Sequence, residues 1–173
     1  MLAYWYSIIF SMSIVFTKEE NQAWAKRQPK KMSSACMAII SSNQVLMVKA
    51  FYKDHWTFPS GIVDENESPE HAAIRETSEE VGLDIEHNEC ELLSVIYTAA
   101  SGGDQDRFNF AFTTNIKNKN KKLSVPNDEI EEAKWVDFKD IAKLAGNRGS
   151  YIKLQDRLMG LTDNKYLEVH HLA

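Results

Sequence analysis

The stretch from Gly61 to Leu83, GIVDENESPEHAAIRETSEEVGL, constrains this chain more than any other. Ser68 is placed to cap a helix, with Pro69 at its first position and Glu70 in its first turn. Gly82 is a natural stop. The spacing therefore predicts a helix over Pro69–Val81. Ala73, Thr77 and Val81 recur at i+4 steps and, with Ala72 and Ile74, form its buried stripe. Glu76, Glu79 and Glu80 stand at i, i+3 and i+4, so their carboxylates share one face. Three like charges there cost stability. The Arg75–Glu79 pair returns only about 0.2–0.5 kcal/mol at a typical exposed site. A cluster of hard oxygen donors suits Mg²⁺, with Mn²⁺ as an alternative, and a divalent ion relieves the repulsion. The competing reading is a solvated acidic helix face.

Charge is unevenly spread. The segment from Asp64 to Glu91 holds 11 acids and one base, Arg75, while the remainder carries 14 acids and 19 Lys and Arg. That distribution is not a nucleic-acid stripe. It fits a cation site with a basic rim for an anionic ligand. Apolar residues make up 43% of the 173, which excludes a disordered chain. Cys36 and Cys90 are too few for a disulfide scaffold and fit a reducing, cytoplasmic setting. Leu2 to Phe16 carries no charge. It is short for a membrane span and lacks the basic lead and small-residue cleavage site of a signal peptide. It reads as a strand packed on the domain or on a second subunit, which makes a homodimer one expected assembly.

Elsewhere, Lys18–Gln28 reads as a short polar helix stopped by Pro29. Strands are expected at Ser34–Ile40, Gln44–Ala50, Leu92–Ala99, Phe108–Thr114 and Glu132–Val136. Short helices are expected at Asp137–Leu144 and Tyr151–Met159, and a compact aromatic turn at Trp56–Gly61. The expected organisation is an N-terminal extension over 1–30, a main domain over 31–160 and a tail over 161–173. Alternating strands and helices imply a layered α/β fold, and no Walker or dinucleotide-binding glycine pattern is present.

Five residues separate Gly61 from Glu67, and seven separate Glu67 from Arg75-Glu76, followed by Glu79, Glu80 and Gly82. This pattern closely resembles the signature of the Nudix hydrolase family. Thr77 departs from it, standing where an aliphatic residue is usual. The resemblance extends more loosely from about Ser34 to Leu144. It implies an α/β/α sandwich with a mixed sheet and a metal-binding loop–helix–loop. By the same resemblance, Glu76, Glu79 and Glu80 fall at metal positions, with the Gly61 carbonyl as a further ligand. Glu67 falls at the position whose carboxylate helps bind the metal through water or orients the arginine, and Arg75 at a structural or orienting one. The general base is either a signature glutamate, such as Glu76 or Glu79, or one from a later loop. Glu129 is the foremost later candidate, with Asp128, Glu131 and Glu132 as neighbours.

The implied reaction is hydrolysis of a phosphoanhydride in a nucleoside diphosphate linked to another group. The alternative is an inactive nucleotide-binding module on the same fold. Lys49, Lys53, Arg107 and the Lys117–Lys122 loop are candidates for binding the remaining phosphate charge. Phe51, Tyr52, His55, Trp56 and Phe108 are candidates for stacking a base. Ser60, where some polyphosphate- and RNA-end-cleaving members have lysine, disfavours an RNA 5′ end, as does the lack of a long basic tract.

Overall fold

The computed structural model describes residues 16–117, 123 and 128–170. The apolar run Leu2–Phe16 lies outside them except for Phe16, as does most of the Lys117–Lys122 loop. The chain divides into two compact units, Met1–Lys30 and Lys31–Ala173.

In the first unit, helix α1 (Lys18–Arg27) is set by a capping box. Thr17 accepts from the Glu20 N–H, and the Glu20 carboxylate accepts from the Thr17 N–H at 2.8 Å. The helix ends one residue before the expected Gln28, which serves as its C-cap.

The second unit is built on a mixed seven-stranded sheet. Strands β1 (Met32–Ser41) and β2 (Gln44–Ala50) form a hairpin, and β3 (Ser60–Ile62) pairs antiparallel with β1. The acidic helix α2 (Pro69–Val81) follows, then β4 (Glu91–Thr98), β5 (Arg107–Asn115) and β6 (Ile130–Asp137). Helices α3 (Ile141–Leu144) and α4 (Gly149–Leu158) precede a last strand, β7 (Tyr166–Val169). The spatial order is β6-β2-β1-β5-β4-β7, with β1–β5 and β4–β7 parallel.

Strand β1 explains the layering. Its residues Ala35 to Ile39 are all buried, so this stretch, ACMAI, is a continuous apolar run rather than an alternating one. Ala35, Met37 and Ile39 pack with Ala72, Ala73 and Val81 of α2. Cys36 and Ala38 face the opposite core with Phe58, Ile141 and Leu154. Helices therefore cover both faces, giving the α/β/α sandwich.

Three features differ from the sequence reading. Residues 56–61 do not form a free turn, because Thr57 bridges to Val48 and Ser60–Ile62 joins the sheet. Three residues are too few to show an alternation pattern. Within the stretch expected as a tail, β7 (Tyr166–Val169) docks on β4 and extends the sheet. Asp137–Leu144 splits into a 3₁₀ turn over Phe138–Asp140 and one turn of α-helix.

Helix α2 has the bounds its signals predict. The Ser68 hydroxyl accepts from the His71 N–H at 3.2 Å, and Gly82 closes the helix at φ 67° with its N–H on the Ser78 carbonyl. Thr77 is fully buried, and its hydroxyl donates to the Ala73 carbonyl at 2.7 Å. That bond lets a polar residue occupy the helix's packing stripe. Gly82→Ala is expected to lower stability by about 1 kcal/mol through left-handed strain at this cap. Urea unfolding checks this; an unchanged midpoint would remove the constraint from Gly82.

Candidate active site

Helix α2 presents its glutamates beside the arm Ser60–Ile62 of β3. Arg75 organises them. Its Nε and Nη2 donate to the two oxygens of Glu67 at 2.9 and 3.0 Å, a forked pairing of matched planes. Its Nη1 donates to Glu76 at 2.7 Å and to Glu79 at 3.1 Å, and Nη2 also reaches the Ile62 carbonyl at 3.1 Å. Arg75 thus ties the loop before α2, the helix and β3 together. Glu67 in turn accepts from the Asp64 N–H at 3.0 Å. The guanidinium beside it, with that backbone bond, holds the Glu67 carboxyl down at about 2.

Glu80 is different. It is 4% exposed, and its carboxylate accepts from the Ser60 N–H at 3.1 Å. Burial pushes its carboxyl up to about 7; the Ser60 bond opposes this, and the charges of Glu76 and Glu129 add to it. Burial also raises Glu76, against the pull of Arg75 and with repulsion from Glu79 and Glu129. Glu129, some fifty residues later, is therefore within electrostatic reach of both. The Phe51 N–H donates to the Glu129 carbonyl at 3.0 Å, which fixes this approach.

Gly61 lies against the same centre. A Cβ there would stand 1.9 Å from Glu76 Oε1, so a glycine is what lets the Glu76 carboxylate lie against the β3 backbone. The arm itself is held from behind, where the buried Tyr151 hydroxyl accepts from the Phe58 N–H at 3.0 Å.

The remaining sequence candidates are dispersed. Lys49 is paired with Glu131 at 2.8 Å. Phe51 and Tyr52 are 65% and 69% exposed. Tyr52 senses Glu129, Glu80 and Glu76, and Lys53 attracts Glu80, so the loop after β2 borders the acidic centre. Trp56 is buried in the core. Arg107 lines a cavity that also touches Ser60. Ser60's backbone donor, Asn109, Arg148 and Tyr151 were not among the candidates. They reach this region from distant parts of the chain, and no local spacing marks them.

The donor set fits a hard divalent cation. It consists of carboxylate oxygens, one of them buried with a neutral backbone donor as its hydrogen-bond partner. Among the described residues, no group of three or more Asp, Glu, His or Cys side chains is placed to hold a metal ion. Mg²⁺ commonly keeps waters and takes substrate oxygens to fill its shell.

Folding raises the Glu80 carboxyl from 4.5 to about 7. The folded, metal-free protein thus holds a proton there that the unfolded chain releases, and stability falls as pH rises through that window. The Glu67 contribution has the opposite sign and is lost only as pH falls below its ordinary value, outside this window. In EDTA, Glu80→Gln is expected to flatten the decline in stability between pH 5 and pH 8, by at most on the order of 3 kcal/mol. Melting curves across pH check this, and a variant with a steeper decline would contradict it.

A family model, NUDIX domain, matches residues 30–155. Over 90 residues the chain is 37% identical to a putative 8-oxo-dGTP diphosphatase 3 of Mycobacterium tuberculosis, covering 51% of this chain and 40% of that protein. Over 44 residues it is 52% identical to an RNA pyrophosphohydrolase of Shewanella sediminis, covering 25% of this chain and 26% of that one. The chain thus spans less than half the length of these two relatives. Its fold is similar to the NUDIX domain of Shewanella oneidensis NrtR, solved with ADP ribose, at a TM-score of 0.67 and 17% identity, covering 85% of this chain and all of that one. No helix among the described residues is long and apolar enough to cross a membrane. With the family model covering most of its length, the chain belongs to the Nudix family.

Proposed function

We propose that the protein hydrolyses a phosphoanhydride bond in a nucleoside diphosphate linked to another group, using Mg²⁺ or Mn²⁺. The observation that carries this reading is the buried Glu80, held by the Ser60 N–H and repelled by both Glu76 and Glu129. A carboxylate buried beside two others favours its neutral form unless a cation holds it charged. The names of the two relatives, a diphosphatase and a pyrophosphohydrolase, agree with it.

In this reading Glu76, Glu79 and Glu80, with the Gly61 carbonyl, hold the metal. When bound, the metal neutralises charge on the anhydride oxygens and lowers the pKa of water. Glu67 and Arg75 fix the helix face and the β3 arm, and Arg75 holds Glu76 and Glu79 where they would meet the cation. The general base is Glu129 or a signature glutamate, Glu76 or Glu79. Glu129 has the advantage of standing on a separate element, so it accepts a proton without leaving the metal. Lys49, Phe51 and Arg107 meet the substrate, with Tyr52 and Lys53 bordering the same centre. The two free cysteines, Cys36 and Cys90, agree with work in the cytoplasm. Nucleotides are the substrate class, and an RNA 5′ end is less favoured because Ser60 offers no cationic side chain. A homodimer through the N-terminal apolar segment is compatible with this chemistry.

The test is turnover of a nucleotide panel, with products separated by chromatography. The panel holds normal and oxidised triphosphates, dinucleoside polyphosphates, nucleotide sugars, NADH and a 5′-triphosphorylated RNA. Cleavage of one class is expected, abolished by EDTA and reduced at least a hundredfold in Glu80→Gln. Gly61→Ala should fall comparably while remaining folded, because its methyl group displaces the Glu76 carboxylate. Full activity of Glu80→Gln on every cleaved substrate would overturn the site assignment.

A further inference from the structure

On the face of the sheet away from α2, a cavity of about 520 Å³ opens between the strands and the start of α4. Its walls include Ser34 of β1, Asn109 and Arg107 of β5, Thr98 of β4, and Arg148 just before α4. Ser60 belongs to both the cavity and the acidic centre, since its N–H holds Glu80. A ligand with its anhydride at the glutamates can therefore extend into this cavity.

Charge along that direction is polarised. The carboxylates lie at the Ser60 side. Ser60 is level with Cys36 on β1, whereas Arg107 is level with Met32, four residues further along. That is about 13 Å along the strand, too far for Arg107 to share the scissile phosphates' metal site. The wall between is neutral and fixed, with the Asn109 amide donating to Ser34 at 3.0 Å. Asp106, the acid beside Arg107 in sequence, is taken by Lys31 and Tyr97. Arg148 lies 3.2 Å from the His55 ring nitrogen, which Asp54 also contacts at 2.7 Å. Asp54 also acts electrostatically on Arg148 across that ring. Gly149 and Ser150, in the first turn of α4, add the positive end of a helix dipole to the wall. A neutral sugar or base needs hydrogen bonds but not two guanidinium groups, whereas a phosphate ester or carboxylate matches their forked donors.

We propose that this cavity receives the end of the substrate remote from the anhydride, and that Arg107 and Arg148 select substrates carrying a second anionic group, a phosphate ester or carboxylate, at that end. The proposal rests on the hydrolase reading and narrows its substrate class. It also makes Arg148 a specificity residue. The substrate is then an extended nucleotide derivative with charge at both its centre and its far end.

Two ligand pairs isolate that charge: UDP-glucuronate against UDP-glucose, and NADPH against NADH. Each pair is measured for kcat/KM with Mg²⁺ and, separately, for equilibrium binding to metal-free protein by calorimetry. In at least one pair the charged member should be favoured at least tenfold in both readouts. Arg107→Gln and Arg148→Gln should each reduce that ratio to less than threefold, with Arg107→Lys retaining part of it should Arg107→Gln fold poorly. Equal handling of both members in both pairs overturns the proposal, as does a preference that survives both substitutions. A charge preference in binding, lost in the variants but without turnover of any ligand, upholds the cavity's selectivity and counts against the hydrolase reading.

Discussion

Everything at the acidic centre depends on one repulsion that the fold does not relieve by itself. Glu80 is buried, the Glu76 side chain is only 15% exposed, and Glu129 is brought toward both. A carboxylate in such a place favours its neutral form unless a cation or strong donors hold it charged. Arg75 supplies that service to Glu67, Glu76 and Glu79 but not to Glu80, whose hydrogen-bond partner is the Ser60 N–H. The centre is therefore split into a part that is satisfied in the metal-free protein and a part that is not.

The rest of the second unit can be understood as holding that split in place. The apolar stripe of α2 packs on Ala35, Met37 and Ile39, which stops the helix from rotating its acids into solvent. Strand β3 is short and would be weak alone. It is pinned by β1 on one side, by the Ile62 carbonyl on Arg75, and by Tyr151 acting on Phe58 at its approach. Gly61 allows the final close contact. Rigidity of this kind is costly for stability where like charges are involved, and it is characteristic of sites that trade stability for binding.

The local devices were legible in the sequence, and the long-range ones were not. Ser68, Pro69 and Gly82 act within one helix, so the bounds of α2 follow from neighbouring residues. The runs of β1 and β2 were visible because continuous burial leaves an apolar stretch. Strand β7 escaped because four residues flanked by polar ones carry no period, and its pairing with β4 spans about seventy residues. The same reason hides Arg148 and Tyr151. Their positions arise because α4 is laid on β4 and β7 by the topology, and nothing in GNRGSYIKL announces that. Glu129 was named from its place before β6, but its approach to Glu76 and Glu80 depends on the β2–β6 pairing that puts it opposite Phe51.

The most direct test is metal binding itself, independent of any substrate. Mn²⁺ would be titrated into the full chain and followed by electron paramagnetic resonance, with Glu80→Gln beside the wild type. The expected result is saturable binding to the wild type that weakens at least tenfold in the variant. Absence of specific Mn²⁺ binding by the folded wild type, or equal binding by both proteins, would contradict the view that the unrelieved charge around Glu80 exists to hold a cation.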